Sequence, residues 1–376
     1  MSDFRTDAQL ADRSAVAADA TPNSRTRQIS VGGVTLGGGA PIRVQSMLNT
    51  ATSDVPASLA QIDRLVEAGC EIIRAAIPRE DCVDGFEAIA AQSPIPVVAD
   101  IHFDHRLALA AIGRGAHALR INPGNIGDWE RVDAIIDAAG QAGVPIRIGV
   151  NAGSLARDLQ LRQDLSLADK LVASAMEYAD YFFARDFHDV ALSVKASSVP
   201  VTIEAYRKLS ALTDCPLHIG VTEAGTAFSG SIKSAVGCGT LLADGIGDTL
   251  RVSLTADPVE EIKVAWEILA ALDIRRRNPE LISCPTCGRT RVDLIPIAQE
   301  VEARLQQLAQ TQPEKYRHLK IAVMGCEVNG PGEAREADFG IACGMGSGLV
   351  FAHGVPLGQH TEAELIDALF THIEST

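Results

Sequence analysis

From residue 40 to 256 the chain repeats one pattern. A short apolar, β-branched run ends in charged or amide side chains, and a stretch with helical spacing follows. The runs are IRVQSML (42–48), EIIRAAI (71–77), PVVADIH (96–102), ALRINPG (118–124), IRIGVNAG (146–153), VALSVKAS (190–197), LHIGVTEAG (217–225) and TLRVSLTA (249–256). Between the first two, Leu59, Ile62 and Val66 fall at i, i+3 and i+7, one face of a helix, and Ser53 or Asp54 stands where a cap belongs. Eight alternating units predict an α/β fold, a (β/α)8 TIM barrel. A doubly wound open sheet is the alternative, but it usually has fewer strands, and no G-x-G-x-x-G follows the first run.

After DIRRRNPELIS (273–283) the pattern changes. A basic turn leads to CPTCGRT (284–290), then to an amphipathic helix through IAQEVEARLQQLAQ, a strand KIAVMGC (320–326), two short strands in DFGIACG and GLVFAHG, and a last helix TEAELIDALFTHIE. This predicts a small α+β domain. The expected division is a leader at 1–28, a barrel at 29–276 and the small domain at 277–376.

Composition narrows the class. Apolar residues make up 47% and aromatic ones 4%, which suits strands and helices packed with Val, Ile, Leu and Ala. The net charge of −15 argues against nucleic acid or an anionic membrane surface as a general partner, and no run approaches the ~18 apolar residues of a membrane span. The first 28 residues are polar, without the hydrophobic stretch of a signal peptide and too acidic for a transit peptide. They are expected to be a disordered leader on a cytoplasmic protein.

An acidic surface leaves room for an anionic ligand if positive charge is gathered locally. In a TIM barrel the chemistry sits at the C-terminal ends of the strands. The runs place Arg74, Asp100, His102, Arg120, Asn122, Arg147, Asn151, Lys195, His218, Glu223, Arg251 and Ser253 there. Five strands contribute the cations Arg74, Arg120, Arg147, Lys195 and Arg251, which would repel one another unless an anion sat among them. The planar fork of Arg suits phosphate oxygens, so a phosphate or diphosphate is the expected ligand. The segment EAGTAFSGSIKS (223–234), with Lys233, fits the loop where barrels often hold phosphate. His102 and Glu223 are candidates for handling protons or for orienting an arginine.

Of eight cysteines, Cys70, Cys215 and Cys238 lie in apolar or Gly-rich surroundings and read as packing residues. Cys284 and Cys287 form a C-x-x-C, and Cys326 opens GCEVNGPGE (325–333). Two thiolates so spaced reach one metal or cluster from a single turn. Zinc, an iron–sulfur cluster and a redox disulfide all remain open on spacing alone. The Asn-Gly-Pro-Gly turn brings Glu333 back toward Cys326, so Glu333 and Cys343 compete for a fourth ligand position.

These motifs together, CPTCGRT and GCEVNGPGE with VQSM, ADIHFD, LRINPGN, RIGVNAGSL, LSVKAS, VTEAG and GIGDTLRVSL in the barrel, resemble the 4-hydroxy-3-methylbut-2-enyl diphosphate synthases over about residues 27–350. The resemblance implies a two-electron reductive ring opening of 2-C-methyl-D-erythritol 2,4-cyclodiphosphate in the methylerythritol phosphate route to isoprenoids. It implies one 4Fe–4S cluster per chain on Cys284, Cys287, Cys326 and Glu333. Substrate contacts would come from Arg74, Arg120, Asn122, Arg147, Asn151, Lys195, Arg251 and Ser253, and catalysis from Glu223, His102 and Glu333. Flavodoxin or ferredoxin is the implied electron donor and a head-to-tail homodimer the implied assembly. The chain departs from the family pattern in having Glu327 beside Cys326, in lacking a lysine in CGMGSG (343–348), and in having no extra central domain of the plant type.

Overall fold

The protein was analysed as a computed structural model that describes residues 25–155, 157–326 and 336–375. The first 24 residues of the expected leader, and both Glu327 and Glu333, lie outside the described residues. The chain divides into two compact units, one ending at Arg275 and the other beginning at Arg276.

The first unit opens with a hairpin, β1 (Ile29–Val31) and β2 (Val34–Leu36), paired antiparallel. Gly32 and Gly33 turn it at φ +53 and +86, backbone that side-chain-bearing residues resist. Ile29, Val31 and Leu36 pack on Ile72, Val98, Ala118 and Ala191, each at or next to the start of its barrel strand. The hairpin therefore plugs the N-terminal end of the barrel.

The barrel strands are β3 (Arg43–Met47), β4 (Ile72–Ala76), β5 (Val97–Ile101), β6 (Ala118–Ile121), β7 (Ile146–Asn151), β8 (Val190–Lys195), β9 (His218–Ile219) and β10 (Thr249–Leu250). Each is followed by its helix: α1 (Val55–Ala68), α2 (Val83–Gln92), α3 (His105–Gly113), α4 (Trp129–Ala142), α5 (Leu167–Phe183), α6 (Val199–Leu212), α7 (Ala227–Ala243) and α8 (Pro258–Ala271). All strand pairs are parallel, in the order β8-β7-β6-β5-β4-β3-β10-β9. A bridge between Leu192 and Leu217 closes the ring, with Leu192 N–H donating to the Pro216 carbonyl at 2.9 Å. Tyr206 of α6 pins this seam, its hydroxyl donating to the His218 carbonyl at 2.5 Å. The TIM-barrel expectation is met.

The helices bury the faces their spacing predicts. On α1, Ile62 and Leu65 are fully buried, Leu59 and Val66 pack beside them, and Asp54 caps the helix by accepting from Ala57 N at 3.1 Å. Cys70, Cys215 and Cys238 are buried in the same core. Each large aliphatic side chain so buried stabilises the fold by about 1.5–3 kcal/mol.

In the second unit β11 (Glu280–Ser283), β12 (Lys320–Met324) and β13 (Phe339–Cys343) run parallel, and β14 (Ser347–Ala352) and β15 (Val355–Thr361) continue antiparallel. Gly340 makes room for the Phe351 ring, which a Cβ at that position would strike at 2.2 Å. Helices α9 (Leu294–Thr311) and α10 (Leu365–Ser375) cover one face, joining Val301, Leu305, Leu369 and Phe370 to Ile321, Val323 and Ile341. No helix among the described residues is long and apolar enough to cross a membrane.

Candidate active site

The barrel interior is cationic. Arg74, Arg120, Arg147, Lys195 and Arg251 come from five strands or their ends and stand near enough together that burial and the neighbouring cations depress the proton affinity of Arg74, Arg147 and Lys195. Burial, then Arg251 and Arg120, lower Arg74 to about 10 although Asp100 counteracts them. Burial, then Arg147, Arg251 and Arg74, hold the Lys195 ammonium well below the lysine range. Two like charges at about 6 Å repel by about 3 kcal/mol at an effective dielectric near 20, so this cluster is costly without an anion.

Two buried carboxylates answer part of it. Asp100, at 2% exposure, accepts from Arg120 Nη1 at 3.2 Å, meets His102 Nε2 at 3.2 Å and lies 3.7 Å from Arg74 Nε. Burial opposes its ionisation, but Arg74, the His102 hydrogen bond and Arg120 together hold the carboxyl below the usual range. Glu261 of α8 lies 3.7 Å from Arg251 Nη2. Among the described residues no carboxylate pairs with Arg147 or Lys195. Arg147 Nη1 instead donates to Gln45 Oε1 at 3.1 Å, and its Nη2 is buried without an acceptor, as is Arg251 Nε.

The sequence makes space for these side chains with glycine. A Cβ on Gly149 would meet Arg120 Nε at 2.6 Å, and one on Gly220 would meet Lys195 Nζ at 2.8 Å. The Ile-Gly-Val steps in IRIGVNAG and LHIGVTEAG are thus the places where a neighbouring strand's cation crosses the backbone. Gly149 also accepts from Arg120 Nη2 at 3.3 Å through its carbonyl.

Three sequence expectations are corrected in position. Arg147 and His218 stand near the starts of β7 and β9, not at their C-terminal ends, and line a cavity above the hairpin with Gln45 and Thr249. Lys233 lies exposed on α7, which begins at Ala227, so only residues 223–226 form the loop. Arg74 is the middle residue of β4, and the remaining candidates lie toward or beyond the C-terminal ends of their strands. Asn122 follows β6 and is buried, Asn151 ends β7 in register with Lys195 on β8, and Ser253 follows β10 half-buried. His102 is about half exposed after β5. Glu223 is exposed after β9 at φ +52, a left-handed conformation that costs a residue with a side chain about 1–2 kcal/mol.

In the second unit, the adjoining ends of β11 and β12 carry Cys284 and Cys326. Cys284 Sγ accepts from Gly325 N–H at 3.3 Å, the contact that steadies a thiolate. The Cys287 turn is closed by Thr290 N–H to the Cys287 carbonyl at 2.9 Å, and Arg291 N–H donates to the Gly325 carbonyl. Cys287 is exposed, and the backbone N–H and side chain of Arg289 lower its thiol. A Cβ on Gly325 would meet Thr290 and Leu294, so glycine lets the two cysteine segments close up. In kind these thiol donors suit an iron–sulfur group. Glu333 lies outside the described residues, and among those residues no three His, Cys, Asp or Glu side chains are close enough together to hold a metal ion. Cys343 is buried at the end of β13.

Residues 26–266 match the model of the GcpE TIM-barrel domain, and residues 280–375 that of the GcpE protein C-terminal domain. The chain belongs to the GcpE family. It is 53% identical over 351 residues to the 4-hydroxy-3-methylbut-2-en-1-yl diphosphate synthase (flavodoxin) of Geobacter sulfurreducens, covering 93% of this chain and 98% of that one. The synthase of the same name from Clostridium perfringens is 51% identical over the same shares. Among solved structures, Yersinia pestis dihydropteroate synthase overlays at TM-score 0.48 and 16% identity, covering 65% of this chain and 97% of that one.

Within this GcpE chain, Gln45 and Glu261 are site neighbours that sequence reading did not single out, and Asp100, named there as a strand-end residue, was given no role. Asp100 was visible as a strand-end carboxylate flanked by Arg74 and Arg120 on adjoining runs. Gln45 sits inside VQSM, where an amide in an apolar strand is itself a signal. Glu261 carried none, since it reads as one more acidic residue in the first turn of a helix.

Proposed function

We propose that the protein catalyses the reductive ring opening of 2-C-methyl-D-erythritol 2,4-cyclodiphosphate to (E)-4-hydroxy-3-methylbut-2-enyl diphosphate. The observation that carries this reading is the barrel's five-cation cluster, only partly balanced by Asp100 and Glu261, in a chain half identical to synthases of that product. Two electrons and two protons enter, the bond from the ring carbon to its phosphate oxygen breaks, and a hydroxyl leaves as water.

Arg74, Arg120, Arg147, Lys195 and Arg251 bind and orient the two phosphates, with Asn122, Asn151 and Ser253 supplying neutral hydrogen bonds. The guanidinium groups offer paired donors to phosphate oxygens. Held this way, the substrate is fixed in one orientation, and the entropy of aligning it is met by binding. His102, hydrogen-bonded to Asp100, and Glu223 in the loop after β9 hold the protons that the leaving hydroxyl and the product require.

A 4Fe–4S cluster, one per chain, would be held by Cys284, Cys287, Cys326 and Glu333; when bound it supplies electrons and a Lewis-acidic iron. The electrons come from flavodoxin or ferredoxin, in keeping with the flavodoxin in the relatives' names. A head-to-tail homodimer in the cytoplasm is the assembly this reading entails.

The test is anaerobic purification with iron and sulfide analysis, followed by an assay with the cyclodiphosphate and reduced flavodoxin. A brown protein with about four irons per chain that forms the linear diphosphate supports the proposal. A colourless, zinc-bearing protein after strictly anaerobic handling, inert toward the cyclodiphosphate, overturns it.

A further inference from the structure

In the first turn of α8 two glutamates stand side by side and behave differently. Glu260 faces solvent and pairs with Lys263 at 2.8 Å. Glu261 turns inward and is 4% exposed. Outer helices of a barrel bury apolar side chains against the strands, and a glutamate is almost never buried there unless paired.

Its three partners come from two segments. Oε1 accepts from Leu254 N–H at 2.9 Å and lies 3.7 Å from Arg251 Nη2. Oε2 accepts from Ser46 Oγ of β3 at 3.3 Å. Leu254 and Arg251 flank Ser253 in the loop after β10, and β10 is in register with β3 through Leu250 and Val44. One carboxylate therefore holds the β10–α8 loop against the neighbouring strand and grips one edge of the Arg251 guanidinium. Arg251 also feels the charges of Arg74 and Lys195, which push it away from the cluster. Its Nε is buried and has no acceptor.

We propose that Glu261 is a positioning residue that fixes Arg251 and the Ser253 loop for an anionic, diphosphate-bearing substrate. This rests on the reading of the barrel as a diphosphate site. Glu261 acts through Arg251 and not by touching the substrate. Removing its charge frees Arg251 to swing from Arg74 and Lys195, so binding suffers before chemistry does.

The test is a double-mutant cycle on the full chain, with inorganic diphosphate as the calorimetric probe and cyclodiphosphate turnover by the cluster-loaded enzyme as the second readout. Glu261→Gln is expected to weaken diphosphate binding about tenfold and to raise KM by a similar factor, with kcat falling much less. In an Arg251→Ala background the same substitution should change binding by no more than about twofold, because coupled residues are not additive. An equal loss in both backgrounds, or a fall in kcat alone, overturns the assignment. If Glu261→Gln does not fold, thermal melting of the double variant decides. Arg251→Ala leaves a buried carboxylate without its cation, so adding Glu261→Gln must raise the melting temperature, and a further drop overturns the proposal. A parent protein with no affinity for diphosphate would sink the diphosphate reading and this role with it, whereas parental binding with an additive cycle sinks this role alone.

Discussion

Arg120 Nη1 lies 3.2 Å from Asp100 Oδ1 across the β5–β6 register, with both side chains buried. The same carboxylate faces Arg74 and His102, so it is the hub on which three candidate site residues are arranged. Removing one partner of a buried ion pair costs about 3–5 kcal/mol, because the other charge stays buried and unpaired. Asp100→Asn keeps the shape and deletes the charge. It is expected to destabilise the free protein by about 3 kcal/mol, and saturating inorganic diphosphate should recover part of that loss by supplying negative charge. Denaturant melts with and without diphosphate measure both. Equal destabilisation in the two conditions would show that Asp100 does not share the site's electrostatics. Because the folded carboxyl is held below its usual range, its stabilisation is complete at neutral pH. It is lost only as pH falls from about 4 toward the folded value.

Lys195 gives a pH signature of the same sign in a more alkaline window. Burial and the neighbouring Arg147, Arg251 and Arg74 depress its ammonium. A base with a depressed folded pKa contributes stability above its unfolded value of about 10.4, and loses it as pH falls through the folded value. A bound diphosphate cancels the repulsion and restores the ammonium, so binding takes up as much as about one proton in that window. Calorimetry in two buffers of different ionisation enthalpy measures the uptake. It should be present in the parent and absent in Lys195→Met. Uptake of the same size in the variant would assign the proton to another group.

The barrel was legible because each strand announces itself as a β-branched run closed by polar residues, as ALRINPG does for Ala118–Ile121. The hairpin that plugs its base went unread, although ISVGGVTL, two alternating runs around Gly-Gly, is a hairpin signal. In the small domain β11 and β15 were missed. ELIS looks like the tail of a basic turn, and VPLGQHT has a proline and a mostly exposed face. The cations were legible as residue types. Their depth was not, because Arg147 reaches the site from the second position of β7 and a linear pattern does not carry barrel stagger. Glu261 acts from a helix on the outside of the ring, so its contact with Ser46, 215 positions away, exists only once the barrel has closed.

Glu223 sits at φ +52 in the loop between β9 and α7, and strain of this kind persists where the surrounding structure imposes it. Glycine adopts that backbone without cost. Glu223→Gly is therefore expected to melt no lower than the parent while turnover falls about a hundredfold or more, the range for loss of a general acid or base. Glu223→Gln should lose turnover comparably and leave stability unchanged. If Glu223→Gly loses stability and turnover together, the conformation is serving the fold and the proton role falls.

Three carboxylate and thiol side chains compete to complete the cysteine set, and their sequence positions separate them. Glu333 follows the Asn-Gly-Pro-Gly sequence seven positions after Cys326, Glu327 is adjacent to it, and Cys343 is buried in the core between the sheet and the helices α9 and α10. A carboxylate binds iron as a harder, more labile ligand than a thiolate, so its loss spares the bound metal and removes the exchangeable position. Glu333→Ala should keep most of its iron and visible absorption and lose most turnover, whereas Cys326→Ala should lose the iron. Cys343→Ala and Glu327→Gln should match the parent in both. Iron content after anaerobic purification and turnover of the cyclodiphosphate, measured on the same preparations, decide between them. If Glu327→Gln keeps its iron and loses turnover while Glu333→Ala remains active, the fourth ligand is Glu327. If Cys343→Ala loses its iron, the set is closed by four thiolates and offers no position for substrate oxygen.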